Sequence, residues 1–125
     1  MIWVVTDHEI TRDDLLRLVQ ARGYAAHHID CVEDVASRAK FSRPALLIID
    51  CGLQGSFDLV TTMRGDAFTR QIPLVMFATS NEEFRKEAMR RGADAFVPKR
   101  SLDWAELLVE VERLVGPPPG LAHPR

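Results

Sequence analysis

Two aspartates and a lysine are the residues of this chain whose types and placement could do chemistry. Asp50 closes the apolar run Ala45–Ile49, and Asp7 follows the apolar run Ile2–Val5 after a single threonine, Thr6. Lys99 follows Ala95–Val97 and Pro98. A carboxylate beside a dry core is costly to ionise, so an aspartate where a buried strand stops is either a turn or capping residue or part of a site. Two close carboxylates repel unless they share a proton or a cation. With a lysine opposite, they suit a hard divalent ion such as Mg2+ and an anion held jointly by metal and ammonium.

The elements that must position these residues alternate along the chain. Apolar runs at Ile2–Val5, Ala45–Ile49 and Leu74–Ala78 read as strands buried on both faces. A weaker strand is expected at 24–29 and a very short one at 95–97. Helical spacing follows each: 11–23 with Thr11 as N-cap and Gly23 as its stop, 31–40, 57–65, 81–92 with Asn81 capping and Gly92 closing, and 101–115 with Ser101 as N-cap and Asp103 in the first turn. Helix 11–23 carries its stripe at Leu15, Leu18 and Val19; helix 101–115 carries Trp104, Leu107, Leu108, Val111, Leu114 and Val115. Five β–α units predict an α/β fold: a flavodoxin-like, doubly wound (βα)5 domain with a five-stranded parallel sheet in the order 2-1-3-4-5. In that order the strands ending at Asp7 and Asp50 are neighbours, and ligands bind outside the carboxyl ends of the strands.

The bulk properties narrow the function classes. At 125 residues the chain makes one domain, 1–115, with a Pro-rich linker or disordered tail at 116–125. A net charge of −2 with 27% charged residues gives no basic footprint for nucleic acid. The first apolar stretch is too short for a signal peptide or a membrane span, so no membrane partner and a cytoplasmic setting are expected. Cys31 and Cys51 have no metal-ligand spacing and read as free thiols. Cys51 has no CxxC partner or obvious base, and no glycine-rich phosphate loop or Ser-His-Asp series is present. Gly52 occupies the place where a haloacid-dehalogenase-type phosphatase carries a second aspartate. An enzyme that turns over phosphomonoesters is therefore not expected.

"VVTDHE", "LLIIDCGL", "IPLVMFATS" and "GADAFVPKR" occur in this order, and the set resembles the signature segments of response-regulator receiver domains across residues 2–115. The resemblance implies a phosphorelay signalling domain: Asp50 as phosphoacceptor, a histidine kinase or phosphotransfer protein as donor, and a downstream target or fused output domain as receiver of the signal. It implies Mg2+ on Asp7, Asp50 and the Gly52 carbonyl, with Lys99 pairing with the acceptor carboxylate and then with the phosphoryl oxygens. The chain departs from the family at Thr6, where a second acid is usual, leaving Glu9 as a possible replacement and His8 as a solvated loop residue. Ala78 stands where the family has a Ser or Thr hydroxyl, with Thr79 next to it. Phe96 fills the aromatic switch position, and Arg100 replaces a proline. The alternative implied by these departures is a degenerate receiver that binds a protein partner without phosphate. Arg85, Lys86, Arg90 and Arg91 on the fourth helix face Glu106, Glu110 and Glu112 on the fifth in type, which suggests a possible homodimer through those helices.

Overall fold

The computed structural model describes residues 1–79, 82–99 and 104–118. Ten elements alternate along the chain: β1 Ile2–Val5, α1 Glu9–Ala21, β2 Ala26–Ile29, α2 Val32–Ser42, β3 Leu46–Asp50, α3 Ser56–Gly65, β4 Leu74–Thr79, α4 Glu82–Arg91, β5 Ala95–Lys99 and α5 Ala105–Val115. The five strands are all parallel, in the order β2-β1-β3-β4-β5. This is the expected doubly wound architecture.

The period-two alternation of the strands sorts the core into two layers. Trp3, Val5, Leu47, Ile49, Leu74, Met76 and Phe96 face one side, where Val35 and Ala39 of α2, Leu59, Val60 and Met63 of α3, and Ala88 of α4 cover them. Ile2, Val4, Leu46, Ile48, Val75, Phe77 and Val97 face the other, against Leu15 and Val19 of α1 and Leu107 and Val111 of α5. β1, β3 and β4 are therefore apolar up to the carboxyl ends of β3 and β4, where Asp50 and Thr79 stand, because each preceding residue meets a helix layer on one side or the other.

Several boundaries differ from the sequence expectation. Helix α1 begins two residues before Thr11. His8 is its N-cap, and its Nδ1 accepts the Thr11 backbone N–H at 3.2 Å. Thr11 instead sits in the first turn, 3% exposed. Gly23 ends α1 at φ +99°, a left-handed conformation that favours glycine. β5 spans five residues, since Pro98 and Lys99 still pair with Ala78 and Thr79 of β4. Asn81, Ser101, Asp103 and Arg100 lie outside the described residues.

Two side chains hold the ends of elements together. Arg64 at the end of α3 donates from Nε to the Gly92 carbonyl at 2.8 Å, from Nη1 to the Arg70 and Ile72 carbonyls at 2.8 Å each, and from Nη2 to Asp94 Oδ2 at 2.7 Å. Asp94 Oδ2 also accepts the Leu74 N–H at 2.8 Å, tying the start of β4 to the turn before β5. At the other end of the sequence, Tyr24 Oη donates to the Gly116 carbonyl at 2.8 Å, and buried Pro118 lies against Gly23. The first residues of the proline-rich tail thus return to the α1–β2 turn.

Candidate functional site

Register alone brings the acidic residues together. β1 and β3 are hydrogen-bonded neighbours, aligned so that Val5 pairs with Ile49. The residues that follow, Thr6 and Asp50, therefore meet at the carboxyl edge of the sheet. Asp7, Asp50, Gly52, Lys99, Ala78 and Thr79 all line one cleft of about 310 Å³, with His8 and Thr11 forming its α1 wall. The trio expected from sequence shares a single site.

Both oxygens of Asp50 receive a donor. Thr6, with no exposed surface, donates from Oγ1 to Asp50 Oδ2 at 2.8 Å. The Gly52 N–H donates to Asp50 Oδ1 at 2.8 Å. The Thr6 hydroxyl oxygen also accepts the His8 N–H at 3.1 Å, so one buried hydroxyl links the Asp50 carboxylate to the start of α1. At Gly52 an added Cβ would lie 3.3 Å from Asp50 Oδ1, which leaves little room for a side chain against the carboxylate. Asp7 is exposed and its carboxylate makes no hydrogen bond among the described residues. Glu9 opens α1 as an exposed residue and does not line the cleft.

Lys99 is placed in the cleft but makes no ion pair with Asp50 among the described residues. Its Nζ donates to Thr11 Oγ1 at 3.0 Å and stands 5.8 Å from the centre of the Trp104 ring. Thr11 Oγ1 is in turn 2.8 Å from His8 Nδ1. An ammonium can only donate, so the Thr11 oxygen accepts from Lys99 and its own proton points to His8 Nδ1. That nitrogen also receives the Thr11 N–H, which makes it unprotonated and leaves the ring hydrogen on Nε2. His8 and Thr11 were not singled out for this by the sequence: His8 read as a loop residue and Thr11 as a cap.

The remaining positions are equally definite. Ala78 is 7% exposed and offers a methyl group, not a hydroxyl, to the cleft. Thr79 is exposed, aligns with Lys99 across the β4–β5 pair, and lines the same cleft. Phe96 is 8% exposed and packs in the core layer under α4. Burial, and next the charge of Asp50, push the Cys51 thiol up to about 12, so it stays protonated at neutral pH and is no nucleophile. Cys31 is also a free thiol, exposed, with its Sγ donating to Glu33 at 3.1 Å.

The donor set fits a hard cation of modest demand. Asp7, Asp50 and the Gly52 carbonyl are all oxygen donors, and the open cleft admits water for the remaining positions, as Mg2+ requires. With Thr6 in place of an acid, no cluster of three acidic, histidine or cysteine ligands exists among the described residues. Among those residues, too, no helix is long and apolar enough to cross a membrane. On α4 and α5 several charges pair within the chain: Arg90 and Arg91 with Glu87 at 2.6 and 2.7 Å, Arg91 also with Asp58 of α3 at 3.0 Å, and Arg113 with Glu110 at 2.6 Å.

Solved structures repeat this fold at low sequence identity. The signal receiver domain of a signal transduction histidine kinase from Syntrophus aciditrophicus superposes with a TM-score of 0.81 at 22% identity, covering 99% of this chain and 93% of that one. The receiver domain of a sensor histidine kinase from Pseudomonas aeruginosa, with a magnesium ion coordinated in its active-site cleft, gives a TM-score of 0.81 at 18% identity over 92% and 96% of the two chains. A chemotaxis response regulator of Vibrio cholerae gives 0.79 at 21% identity over 90% and 96%. No curated protein sequence matches the chain. The family model for the response regulator receiver domain matches residues 2–112, nearly the whole of the sheet and its helices, and the chain belongs to that family.

Proposed function

We propose that Asp50 accepts a phosphoryl group from the phosphohistidine of a kinase or phosphotransfer protein. The observation that carries this reading is a carboxylate fixed at a buried strand end by Thr6 and Gly52, in one cleft with Asp7 and Lys99. A carboxylate held in one orientation is prepared for in-line attack, since little rotational freedom remains to be lost. An Asp50 oxygen forms the new O–P bond as the donor's N–P bond breaks. The electron pair stays on the leaving imidazole nitrogen, which takes a proton from water.

Asp7, Asp50 and the Gly52 carbonyl would hold Mg2+, which when bound offsets negative charge on the transferring oxygens. Lys99 supplies the second positive charge, for which its ammonium must reach the phosphoryl oxygens. With Ala78 in the hydroxyl position, no side-chain hydrogen bond from β4 at that residue can draw the loop inward. The signal then leaves by a different displacement, toward a downstream target or a fused output domain. No turnover beyond formation and slow loss of the acyl phosphate is expected.

Intact mass after incubation with acetyl phosphate and Mg2+ tests the reading. A single phosphoryl adduct is expected, absent in Asp50→Asn and absent without metal. A folded wild-type protein that gains no adduct would sink the phosphoacceptor role and leave an interaction module in its place.

A further inference from the structure

We infer that Thr11, oriented by His8, is a resting acceptor for Lys99 that keeps the lysine away from Asp50 until a phosphoryl group draws it across. This rests on the phosphoacceptor reading for its second half only. Two threonine hydroxyls divide the acid and the base of the site between them. Thr6 fills Oδ2 of Asp50 with a neutral donor at 2.8 Å, and Thr11 takes the ammonium at 3.0 Å. Each is nearly or fully buried, so neither hydroxyl is free to turn to bulk water. Thr11 is further fixed because its proton is engaged by His8 Nδ1 at 2.8 Å, which leaves its oxygen lone pairs aimed at the cleft. The Trp104 ring, 5.8 Å from Nζ, offers its negative face to the same charge.

The ammonium thus has a defined station on the α1 wall. A doubly charged phosphoryl group outbids a neutral hydroxyl for it, because hydrogen bonds between ions are the stronger ones. Occupation of Asp50 therefore moves Lys99 and vacates Thr11, a change at the start of α1 made without any hydroxyl at residue 78. Thr11 acts through Lys99 and is a positioning residue.

The chain's lysines are Lys40, Lys86 and Lys99, so side-chain 13Cε and 15Nζ resonances can be assigned singly. In the free protein, without metal or phosphate, Lys99 is expected to show the shift and slowed exchange of a bonded ammonium. Thr11→Val should move it to the position of a hydrated lysine, and Thr11→Ser should restore it. The His8 cap survives in the valine variant, since it uses the residue 11 backbone N–H. A Lys99 signal unchanged in Thr11→Val would overturn the resting station.

Titration with beryllofluoride and Mg2+ then reads the exchange. Removing the competing acceptor should tighten beryllofluoride binding about three- to tenfold, and the gain should vanish in a Lys99→Met background. Equal or weaker binding by Thr11→Val would overturn the competition. Should the valine variant not fold, wild-type protein suffices: beryllofluoride must shift the Lys99 and Thr11 side-chain signals together, and a Thr11 signal that stays put refutes the inference. Wild-type protein that binds no beryllofluoride refutes the phosphoacceptor reading instead, while the free-protein spectra still decide the resting station.

Discussion

Replacing Thr6 by valine keeps the shape of the side chain and removes only the hydroxyl, so the loss it produces belongs to the two bonds that hydroxyl makes. One goes to the carboxylate of Asp50 at 2.8 Å and the other comes from the His8 N–H at 3.1 Å. A hydrogen bond to a charged group contributes roughly 1.5–3 kcal/mol and a neutral one roughly 0.5–1.5 kcal/mol. Asp50 is only half-buried and opens onto the cleft, where water can replace part of what is lost, so the lower end of each range applies. The expected cost of Thr6→Val is therefore about 2 kcal/mol. Urea unfolding at neutral pH would register it as a lower midpoint at unchanged slope. Thr6→Ser, which keeps both bonds and loses one buried methyl, should fall by only about 1 kcal/mol. A valine variant as stable as wild type, or more stable, would refute the claim that this hydroxyl fixes the Asp50 carboxylate.

Two further outcomes are expected elsewhere in the molecule. Arg64→Met removes four hydrogen bonds while keeping much of the packed stem, and because Arg64 and Asp94 are 22% and 37% exposed the cost should be about 2–3 kcal/mol by the same unfolding measurement. A loss under about 0.5 kcal/mol would show that water replaces the guanidinium at those carbonyls. Between pH 9 and about 12 stability should fall, because the Cys51 thiol ionises near its ordinary value of 9.0 when unfolded and near about 12 when folded. The folded state holds that proton longer, so the contribution is whole below pH 9 and lost by about 12, with a slope no steeper than about 1.4 kcal/mol per pH unit. Cys51→Ala should flatten the profile, and an identical profile would show that the buried thiol is not its source.

Much of this organisation was legible in the chain because it depends on local pattern. Apolar runs bounded by Pro, Gly and Asp marked β1, β3 and β4 nearly to the residue, and the alternation of those runs with helical stripes marked a parallel sheet with helices on both faces, whose order 2-1-3-4-5 is that of the flavodoxin-like fold. The shared cleft of Asp7, Asp50 and Lys99 followed from topology, since parallel strands deliver their carboxyl ends to one edge. What remained hidden depends on tertiary distance. Thr11 meets Lys99 across 88 positions of sequence, and no spacing rule links a first-turn threonine to a lysine on the last strand. His8 escaped notice because histidine is an uncommon N-cap, whereas Thr11 is of the usual type. Arg64 gives no signal at all, since three of its four partners are main-chain carbonyls that any residue could supply.

The two strands that border the sheet bear on how the protein behaves at high concentration. An unpaired border is a template on which a foreign strand can add, and long flat apolar borders are where polymerisation starts. Here β2 is only four residues long and carries His27 and His28, while β5 contains Pro98, which has no N–H to offer. A strand approaching from either side finds a short row of donors or a broken one. The same proline that precedes the lysine of the cleft thus helps to keep the sheet from growing beyond five strands.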